Sequence, residues 1–482
     1  MNVRLYDSKA REVVDLVPRV PGRIGMYVCG PTVQSSPHVG HLRSALAYDL
    51  WRRWLTYRGF DVTFVRNVTD IDDKVLDNAA AEGDADRWWA LAYRVELEFS
   101  RAYAAIGILP PTYEPRATAA IGDMQSLIER LLERGHAYAA EDGSGDVYFD
   151  TASWPAYGEL TNQSRDDMQD AADADPRGKR DPRDFALWKG RKALEPETAA
   201  WPSPWGAGRP GWHIECSAMS RRYLGPEFDI HGGGLDLRFP HHENELAQST
   251  AAGDPFARHW LHNGLVLVGG QKMSKSLGNS VFAADVLAQA RPLVVRYALA
   301  GAHYRSTLDL VDGTLTEAEA AVGRIEGFLD RSARALALRP AAAGLASGQE
   351  PSYPASLPVP SLFGAAMDDD LGVPQALAVL HETIRAANAA IDRGDRAEVA
   401  RARAEVHAML AVLGLEPDSF DRGEGEAAER ATLDALIEGL VGQRNAARAR
   451  KDYSTADAIR DSLAAAGIQL EDGADGTHWS LT

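Results

Sequence analysis

The sequence predicts an α/β fold: a Rossmann-type nucleotide-binding parallel sheet, split by an α+β insertion and followed by a C-terminal all-α helical bundle and a further small domain. The first observation is a βαβ pattern, in which apolar runs at residues 24–28 and 62–65 flank a helical repeat at 42–57. Such units imply a parallel sheet. The second is that strand–helix alternation resumes only from Gly211, so an insertion separates two halves. The third is a helical pattern beyond Asp285.

The elements after the first βαβ unit follow in a clear order. The insertion is expected at residues 117–204, where a helical pattern at 124–135 precedes the strand-like DVYFD and a polar stretch at 162–183. FDIHGGG is then typical of a strand, a helix is expected from His241, and WLHNGLVLV is expected to form the next strand. These segments complete the predicted sheet.

The C-terminal third is predicted to be helical. A linker rich in Ala, Pro, Gly and Ser is expected at residues 339–361. Residues 363–413 have a helical pattern that Gly414 ends, and residues 426–466 contain one or two more helices before a short tail.

Composition excludes several classes of protein. The 482 residues are 45% hydrophobic and 25% charged, and no apolar run approaches the length of about 18 residues that a membrane helix needs. Asp7 and Glu12 lie where a signal peptide would be apolar. With only Cys29 and Cys216, a disulfide scaffold is excluded. The net charge of −18 argues against a general nucleic-acid coat protein, and we expect a cytoplasmic protein.

A histidine motif, PHVGH at residues 37–41, follows the first strand and opens the first helix. A helix N-terminus offers free N–H groups and a positive dipole to an anion. Gly40 lets a base or phosphate approach the backbone, and His38 and His41 can donate hydrogen bonds to phosphate oxygens. On its own, the motif could equally be two surface histidines beside a turn.

A second motif, KMSKS at residues 272–276, lies between glycines that suggest a mobile loop. Its lysines and hydroxyls suit a polyphosphate, although a solvated basic loop is the alternative. Together, the two motifs resemble the signature pair of class I aminoacyl-tRNA synthetases, and their order along the chain fits that family.

A third set of residues has the composition of a zinc site. Cys29 ends the first strand, Cys216 lies in GWHIEC, and HHENE follows at residues 241–245. Two thiolates, an imidazole and a carboxylate form a tetrahedral zinc set. On a helix, His241 and Glu245 would share a face. The alternative is a polar helix N-terminus beside two inert thiols, and the residues alone leave open which side chains bind among His241, His242, Glu243 and Glu245.

The segments MYVCGPTV, NVTDIDDK, GWHIECSAM, HGGGLDLRFPHHENE and KMSKSLGN resemble cysteinyl-tRNA synthetases along nearly the whole chain. The resemblance implies one Zn²⁺ per subunit on Cys29, Cys216, His241 and Glu245, with the substrate thiolate as a further ligand. Serine's hydroxyl is a much poorer zinc ligand, so the metal can replace an editing site. One departure is visible: Gln34 and Ser35 follow PTV where many members carry Tyr-Asp.

The resemblance also implies the remaining site residues. The expected cysteine pocket comprises Thr69, Trp212 and His231; the expected ATP site comprises His38, Gly40, His41, Asp236, Lys272, Ser274 and Lys275; and the expected catalytic set is His38, Gly40, His41, Lys272 and Lys275. ATP would enter with Mg²⁺. The acidic run at residues 70–73 could bind magnesium, but an acid-rich helix N-terminus is the favoured interpretation.

The implied activity is activation of L-cysteine by ATP and its transfer to tRNA(Cys), by a monomer without a membrane segment. Within residues 441–460, Arg444 and four other cations outnumber two acids, and Trp479 or Tyr453 could stack on a base. A solvated helix face is the alternative. The expected domains are a first Rossmann half at 1–116, a connective insertion at 117–204, a second half with the zinc site at 205–265, the KMSKS loop and stem-contact helices at 266–338, a linker at 339–361, a helical bundle at 362–425 and an anticodon-binding domain at 426–482.

The nearest alternative is the cysteine–amino-sugar ligase of mycothiol biosynthesis, which shares the catalytic half but usually lacks the distal domain. The ending RKDYSTADAIRDSLAAAGIQLED resembles that of the synthetases and favours the tRNA enzyme. A non-catalytic RNA-binding relative would be expected to lose the motif residues that are present here.

Overall fold

The computed structural model describes residues 2–164, 177–273, 278–337, 358–420, 424–473 and 476–481. These form two compact units, Met1–Ser419 and Phe420–Thr482. None of the helices in these ranges is long and apolar enough to cross a membrane.

The first unit contains all but two of the described α-helices and all but two of the described strands. Its strands are β1 (Arg4–Asp7), β2 (Glu12–Asp15), β3 (Arg23–Val28), β4 (Asp61–Arg66), β5 (Ala137–Ala139), β6 (Val147–Phe149), β7 (Phe185–Gly190), β8 (Gly208–Pro210), β9 (Glu227–Gly234), β10 (Phe256–Asn263), β11 (Val266–Val268), β12 (Gln271–Lys272) and β13 (Leu308–Leu310). Its helices are α1 (Val39–Tyr57), α2 (Asp73–Ala81), α3 (Trp88–Ala105), α4 (Ile121–Glu133), α5 (Trp212–Leu224), α6 (Glu243–Ala251), α7 (Ala283–Gln289), α8 (Pro292–Ala300), α9 (Thr314–Ala335), α10 (Ser361–Asp368), α11 (Val373–Asp392) and α12 (Arg396–Leu413).

The predicted parallel sheet is confirmed. Its order is β10–β9–β3–β4, and every neighbouring pair is parallel. The side chains of Ile24, Met26, Tyr27 and Val28 in β3 are buried, as expected for a strand between two covered faces. The chain runs from β3 to β4 on one side and returns to β9 on the other. The carboxyl ends of β3 and β9 therefore flank a topological switch point, where ligands bind in open α/β sheets.

The insertion has the predicted α+β character. After α4, the strands β5, β6, β7 and β8 form one antiparallel sheet. This sheet includes Gly208–Pro210, which lies beyond residue 204, and α5 begins directly after it at Trp212. The short connection fixes the start of α5 against the insertion.

The prediction of one strand across WLHNGLVLV is wrong. β10 ends at Asn263, and β11 joins a different sheet with β12 and β13. The chain bends at Gly264, where a Cβ would lie 2.3 Å from the carbonyl oxygen of Ser306. The predicted helix from His241 begins instead at Glu243, after a wide turn over Arg238–His242.

Helices α8 to α12 confirm the predicted C-terminal helical region of this unit. Gly414 ends α12 in the left-handed conformation, with φ of 65°, as the sequence predicts. Arg296, fully buried on α8, donates to the carboxylate of Asp49 at 2.6 Å and to the carbonyl oxygen of Leu413 at 2.8 Å. One side chain thus joins α1, α8 and the end of α12.

The second unit contains α13 (Glu424–Ala449), α14 (Tyr453–Ala465), β14 (Ile468–Gly473) and β15 (Gly476–Leu481). The predicted tail is wrong, because β14 and β15 pair as an antiparallel hairpin. Trp479 packs against the core formed by Ile437, Leu463 and Ile468. Arg444 is only 6% exposed. Both side chains therefore pack in the interior of this unit, whereas Tyr453 is 62% exposed.

Candidate functional site

A cavity of about 380 Å³ lies at the carboxyl ends of the parallel strands. Its lining includes the residues that end or follow all four strands: Cys29, Arg66, Gly234 and Asn263. The expected site residues on its lining are Cys29, His38, Gly40, His41, Trp212, Asp236 and Lys272. The cavity thus brings together residues as far apart in the sequence as Cys29 and Lys272, which are separated by 243 positions.

Four side chains next to this cavity could hold a metal ion. One ligand atom from each of Cys29, Cys216, His241 and Glu245 lies within 4.8 Å of all the others. Cys29 Sγ is 3.2 Å from Glu245 Oε1, and His241 Nε2 is 3.1 Å from the same oxygen. Cys29 follows β3, Cys216 lies on α5, and Glu245 lies on the first turn of α6. Three distant segments therefore meet at one point.

The two acids that the sequence left as alternatives have different surroundings. The carboxylate of Glu243 accepts hydrogen bonds from Gly158 N at 2.9 Å, Thr161 N at 2.8 Å and Thr161 Oγ1 at 2.9 Å. Glu243 therefore binds the insertion, and Glu245 alone of the two joins the cluster.

The neighbouring histidines are also distinguishable. His242 Nδ1 lies 2.8 Å from His262 Nε2. A second possible ligand set replaces Cys216 and His241 with His231 and His242, again within 4.8 Å. Geometry alone therefore permits two sets, but only the first contains both thiols, which zinc prefers as soft ligands.

The chemistry of the first set fits a divalent cation. Cys29, Cys216, His241 and Glu245 are all buried, with exposed fractions between 0% and 8%. Without a cation, burial raises the pKa of the Cys216 thiol to about 11, and burial also raises the pKa of Cys29 well above its usual value. Glu245 Oε2 is buried and lies 3.2 Å from His231 Nε2, without hydrogen-bond geometry to any described residue. A bound cation would stabilise the thiolates and pair with this oxygen.

Two aromatic residues orient His241. Trp212 stacks on its ring at 4.2 Å between centroids, and His213 Nδ1 lies 3.0 Å from His241 Nδ1. A partner on one ring nitrogen fixes the tautomer and leaves Nε2 for a ligand role. His213 was not among the residues predicted from the sequence, although its place beside Trp212 in GWHIEC was the available signal.

The histidine motif forms the N-terminal cap of α1. His38 Nδ1 accepts from Gly40 N at 3.1 Å, and His41 Nδ1 accepts from His38 N at 3.1 Å. Burial lowers the pKa of His41 to about 3 and also lowers that of His38. Both rings are therefore neutral near pH 7 and carry their protons on Nε2. They can donate hydrogen bonds to an anion, but they supply no full positive charge.

Gly40 is closely packed against the side chains of His38 and Met273. A Cβ at this position would lie 2.9 Å from His38 Cε1 and 3.4 Å from Met273 Cε. Lys272 and Met273 line the cavity, so the start of the KMSKS segment lies beside the histidine motif. Ser274 and Lys275 lie outside the described residues. Asp236 lines the same cavity from the turn Leu235–Leu237 that follows β9.

Thr69 and His231 are absent from the described lining of the cavity. Thr69 Oγ1 donates to Glu215 Oε2 at 2.7 Å, and both residues are 1% exposed. His231 is fully buried on β9, 3.7 Å from Cys29 Sγ. Both side chains are therefore buried beside the cavity without lining it.

The acidic run at residues 70–73 leads into the N-terminus of α2. Asp72 caps α2 by accepting from Lys74 N at 3.0 Å. Asp73 forms ion pairs with Lys189 at 2.8 Å and with Arg209. The interpretation as an acid-rich helix N-terminus is confirmed.

Comparison with known proteins agrees with this geometry. Residues 15–320 match the family model for the tRNA synthetases class I (C) catalytic domain. Residues 362–416 match a DALR domain, and residues 430–479 match a cysteinyl-tRNA ligase anticodon binding domain.

Similar proteins extend over the full length of the chain. The cysteine–tRNA ligase of Clavibacter sepedonicus is 68% identical, covering 100% of this chain and 99% of the relative. That of Leifsonia xyli subsp. xyli is 64% identical, covering 100% of both.

Solved structures show the same fold. Mycobacterium tuberculosis methionyl-tRNA synthetase with methionyl-adenylate has a TM-score of 0.55 at 17% identity, covering 82% of this chain and 90% of that one. The ternary complex of Agrobacterium radiobacter K84 agnB2 LeuRS-tRNA-LeuAMS has a TM-score of 0.59 at 11% identity, covering 85% and 87%. From the catalytic-domain match and the full-length identities, the chain belongs to the cysteine–tRNA ligase family of class I tRNA synthetases.

Proposed function

We propose that this chain activates L-cysteine with ATP and Mg²⁺ and transfers it to tRNA(Cys), using one Zn²⁺ held by Cys29, Cys216, His241 and Glu245. The observation that carries the proposal is that this cluster adjoins the cavity lined by the histidine motif and Lys272. A thiol-selecting group and a phosphate-binding group then act in one site.

Selection of cysteine rests on the buried ligand set. When bound, zinc supplies a Lewis acid that favours a substrate thiolate over the hydroxyl of serine. Trp212 both lines the cavity and stacks on His241, so it holds the ligand ring in place from the substrate side. The thiols of Cys29 and Cys216 are buried and form no disulfide bond, which supports a reducing, cytoplasmic location.

Activation requires the substrate carboxylate to attack the α-phosphorus of ATP and expel pyrophosphate. The Nε2–H groups of His38 and His41 donate hydrogen bonds to phosphate oxygens, and Lys272 with Lys275 offsets the charge that develops on the leaving group. Asp236 binds the ribose hydroxyls. Holding the reactants in line supplies much of the rate, and no protein nucleophile is needed.

Transfer then moves the cysteinyl group from the adenylate to the 2′-hydroxyl of the terminal adenosine. The match of residues 430–479 to an anticodon binding domain favours tRNA as the acceptor over an amino-sugar. The exposed ring of Tyr453 is a candidate for stacking on a tRNA base.

The test compares wild type with Cys216→Ser in cysteine-dependent ATP–pyrophosphate exchange, with zinc content measured on the same samples. We expect the variant to lose zinc and to lose at least about 100-fold in exchange. Ser249→Ala is the matched control, because Ser249 is buried on α6 and its hydroxyl has no partner among the described residues. Retained zinc and exchange in Cys216→Ser would contradict the ligand set.

A second assay separates the acceptors. Purified protein is given cysteine, ATP and either tRNA(Cys) or the amino-sugar precursor of mycothiol. Charging of the tRNA, with serine rejected, is the expected result. Coupling to the amino-sugar alone would overturn the assignment of the acceptor while keeping the activation step.

A further inference from the structure

Arg66 lines the cavity but was not among the residues that the sequence singled out. It ends β4, at the same sheet edge as Cys29, and only 5% of the residue is exposed. Its Nε and Nη2 both lie 2.9 Å from one oxygen of Glu114, and its guanidinium lies 4.4 Å from the centre of the Tyr103 ring. The side chain is therefore held in place from two sides before any substrate binds.

One edge of this guanidinium is left without a partner. Nη1 is buried and makes no hydrogen bond to any described residue. By contrast, the buried Arg296 donates to one carboxylate and three carbonyl oxygens. Because a guanidinium only donates, the free edge of Arg66 requires an acceptor, and an oxyanion is the strongest one.

The position of Arg66 indicates which oxyanion it meets. A Cβ on Gly30, the residue after Cys29, would lie 3.1 Å from Arg66 Cγ. The next residue, Asn67, accepts from Gly30 N at 2.8 Å and lies 3.5 Å from Cys216 Sγ. The end of β4 thus adjoins both the candidate metal ligands and the cavity. An amino acid bound through its sulfur at that cluster has its carboxylate a few bonds away, and Arg66 lines the cavity that adjoins the cluster.

We propose that Arg66 binds the α-carboxylate of the substrate cysteine through Nη1 and holds it for attack on ATP. This inference rests on the proposed function. The same donor chemistry would also suit the α-phosphate of ATP, and the experiment separates the two sources. Glu114 acts as a positioning residue, because it fixes the guanidinium and is not on the described lining of the cavity, while Tyr103 packs against the guanidinium from the lining itself.

The test uses full-length Arg66→Gln and Arg66→Lys in ATP–pyrophosphate exchange, with KM measured separately for cysteine and ATP. Loss of a charged hydrogen bond predicts that KM for cysteine rises about 10–100-fold in Arg66→Gln, while KM for ATP stays within about threefold. Arg66→Lys should recover only part of the loss, because a lysine cannot reproduce the fixed fork. Zinc content and the thermal midpoint, measured on each variant, report whether the site is intact.

A carboxylate-free probe makes the result specific. Cysteamine, which lacks the carboxylate of cysteine, is used as a competitive inhibitor. Its Ki should be unchanged in Arg66→Gln while KM for cysteine rises. Arg209→Lys is the matched control: Arg209 is a buried arginine of the insertion that pairs with Asp73 and Glu195, and its replacement should leave both KM values unchanged.

The outcomes are distinct. A rise in KM for ATP alone would overturn the carboxylate assignment in favour of the phosphate. Wild-type values for both substrates, or equal weakening of cysteine and cysteamine, would overturn the proposal. Absence of cysteine-dependent exchange in the wild type would refute the proposed function itself. The Arg66 variants test only the role of Arg66, so the two failures are distinguishable.

Discussion

Glu243 and Glu245 are two residues apart, and replacing each by Gln should separate folding from metal binding. The Glu243 carboxylate is fully buried and accepts three hydrogen bonds, one from Gly158 and two from Thr161, all between 2.8 and 2.9 Å. A Gln side chain offers one oxygen and turns an NH₂ donor towards other donors, so at least one bond is lost. A hydrogen bond to a charged group contributes about 1.5–3 kcal/mol, and we expect Glu243→Gln to lower the free energy of unfolding by about that amount.

Glu245→Gln should have the opposite profile. It replaces a carboxylate 3.2 Å from Cys29 Sγ and 3.1 Å from His241 Nε2 by a neutral amide. We expect zinc affinity to fall by more than the roughly 10–100-fold that loss of a supporting residue costs. In Glu243→Gln, zinc should remain near one per chain.

The assay is zinc content after dialysis against a weak chelator, combined with urea unfolding followed by tryptophan fluorescence. Glu317→Gln is the control, because Glu317 is exposed on the first turn of α9 and the same chemical change there should alter neither quantity. Loss of zinc in Glu243→Gln with retention in Glu245→Gln would refute the assignment of the two acids.

Three further predictions test the phosphate site, the core and the second unit. In Gly40→Ala, the new Cβ would displace a capping imidazole 2.9 Å away, so ATP–pyrophosphate exchange should fall on the order of 10–100-fold; an unchanged rate would contradict the close-packing argument. Arg296→Met removes the 2.6 Å partner of the buried Asp49 carboxylate, which keeps Arg53 at 2.8 Å, so thermal unfolding should show a loss of about 1.5–3 kcal/mol; a variant as stable as wild type would count against this role. Deletion from Phe420 onward should leave cysteine-dependent exchange nearly intact and raise KM for tRNA(Cys) by at least about 10-fold in a charging assay; normal charging would show that the unit is dispensable.

The elements that the sequence predicted well are those whose apolar pattern is local. β3, α1 and β4 lie where the runs at residues 24–28, 42–57 and 62–65 indicated. The strand across residues 260–268 failed because the bend at Gly264 depends on a contact with Ser306, 42 positions further along the chain. The C-terminal hairpin was missed because its short strands are stabilised by pairing and by packing on two helices.

The sequence by itself determined the chemistry of this protein: two thiols, an HHENE segment, a histidine motif and KMSKS, in an order that resembles one family. Only the tertiary structure separated Glu243 from Glu245, turned the histidine rings into neutral donors by burial, and brought Arg66 to the cavity. The physical reason is that residue type and spacing fix which groups a segment carries and how its backbone repeats. The direction of each side chain, its partners and its protonation are set by segments far away in the sequence, which meet only when the sheet closes around the switch point.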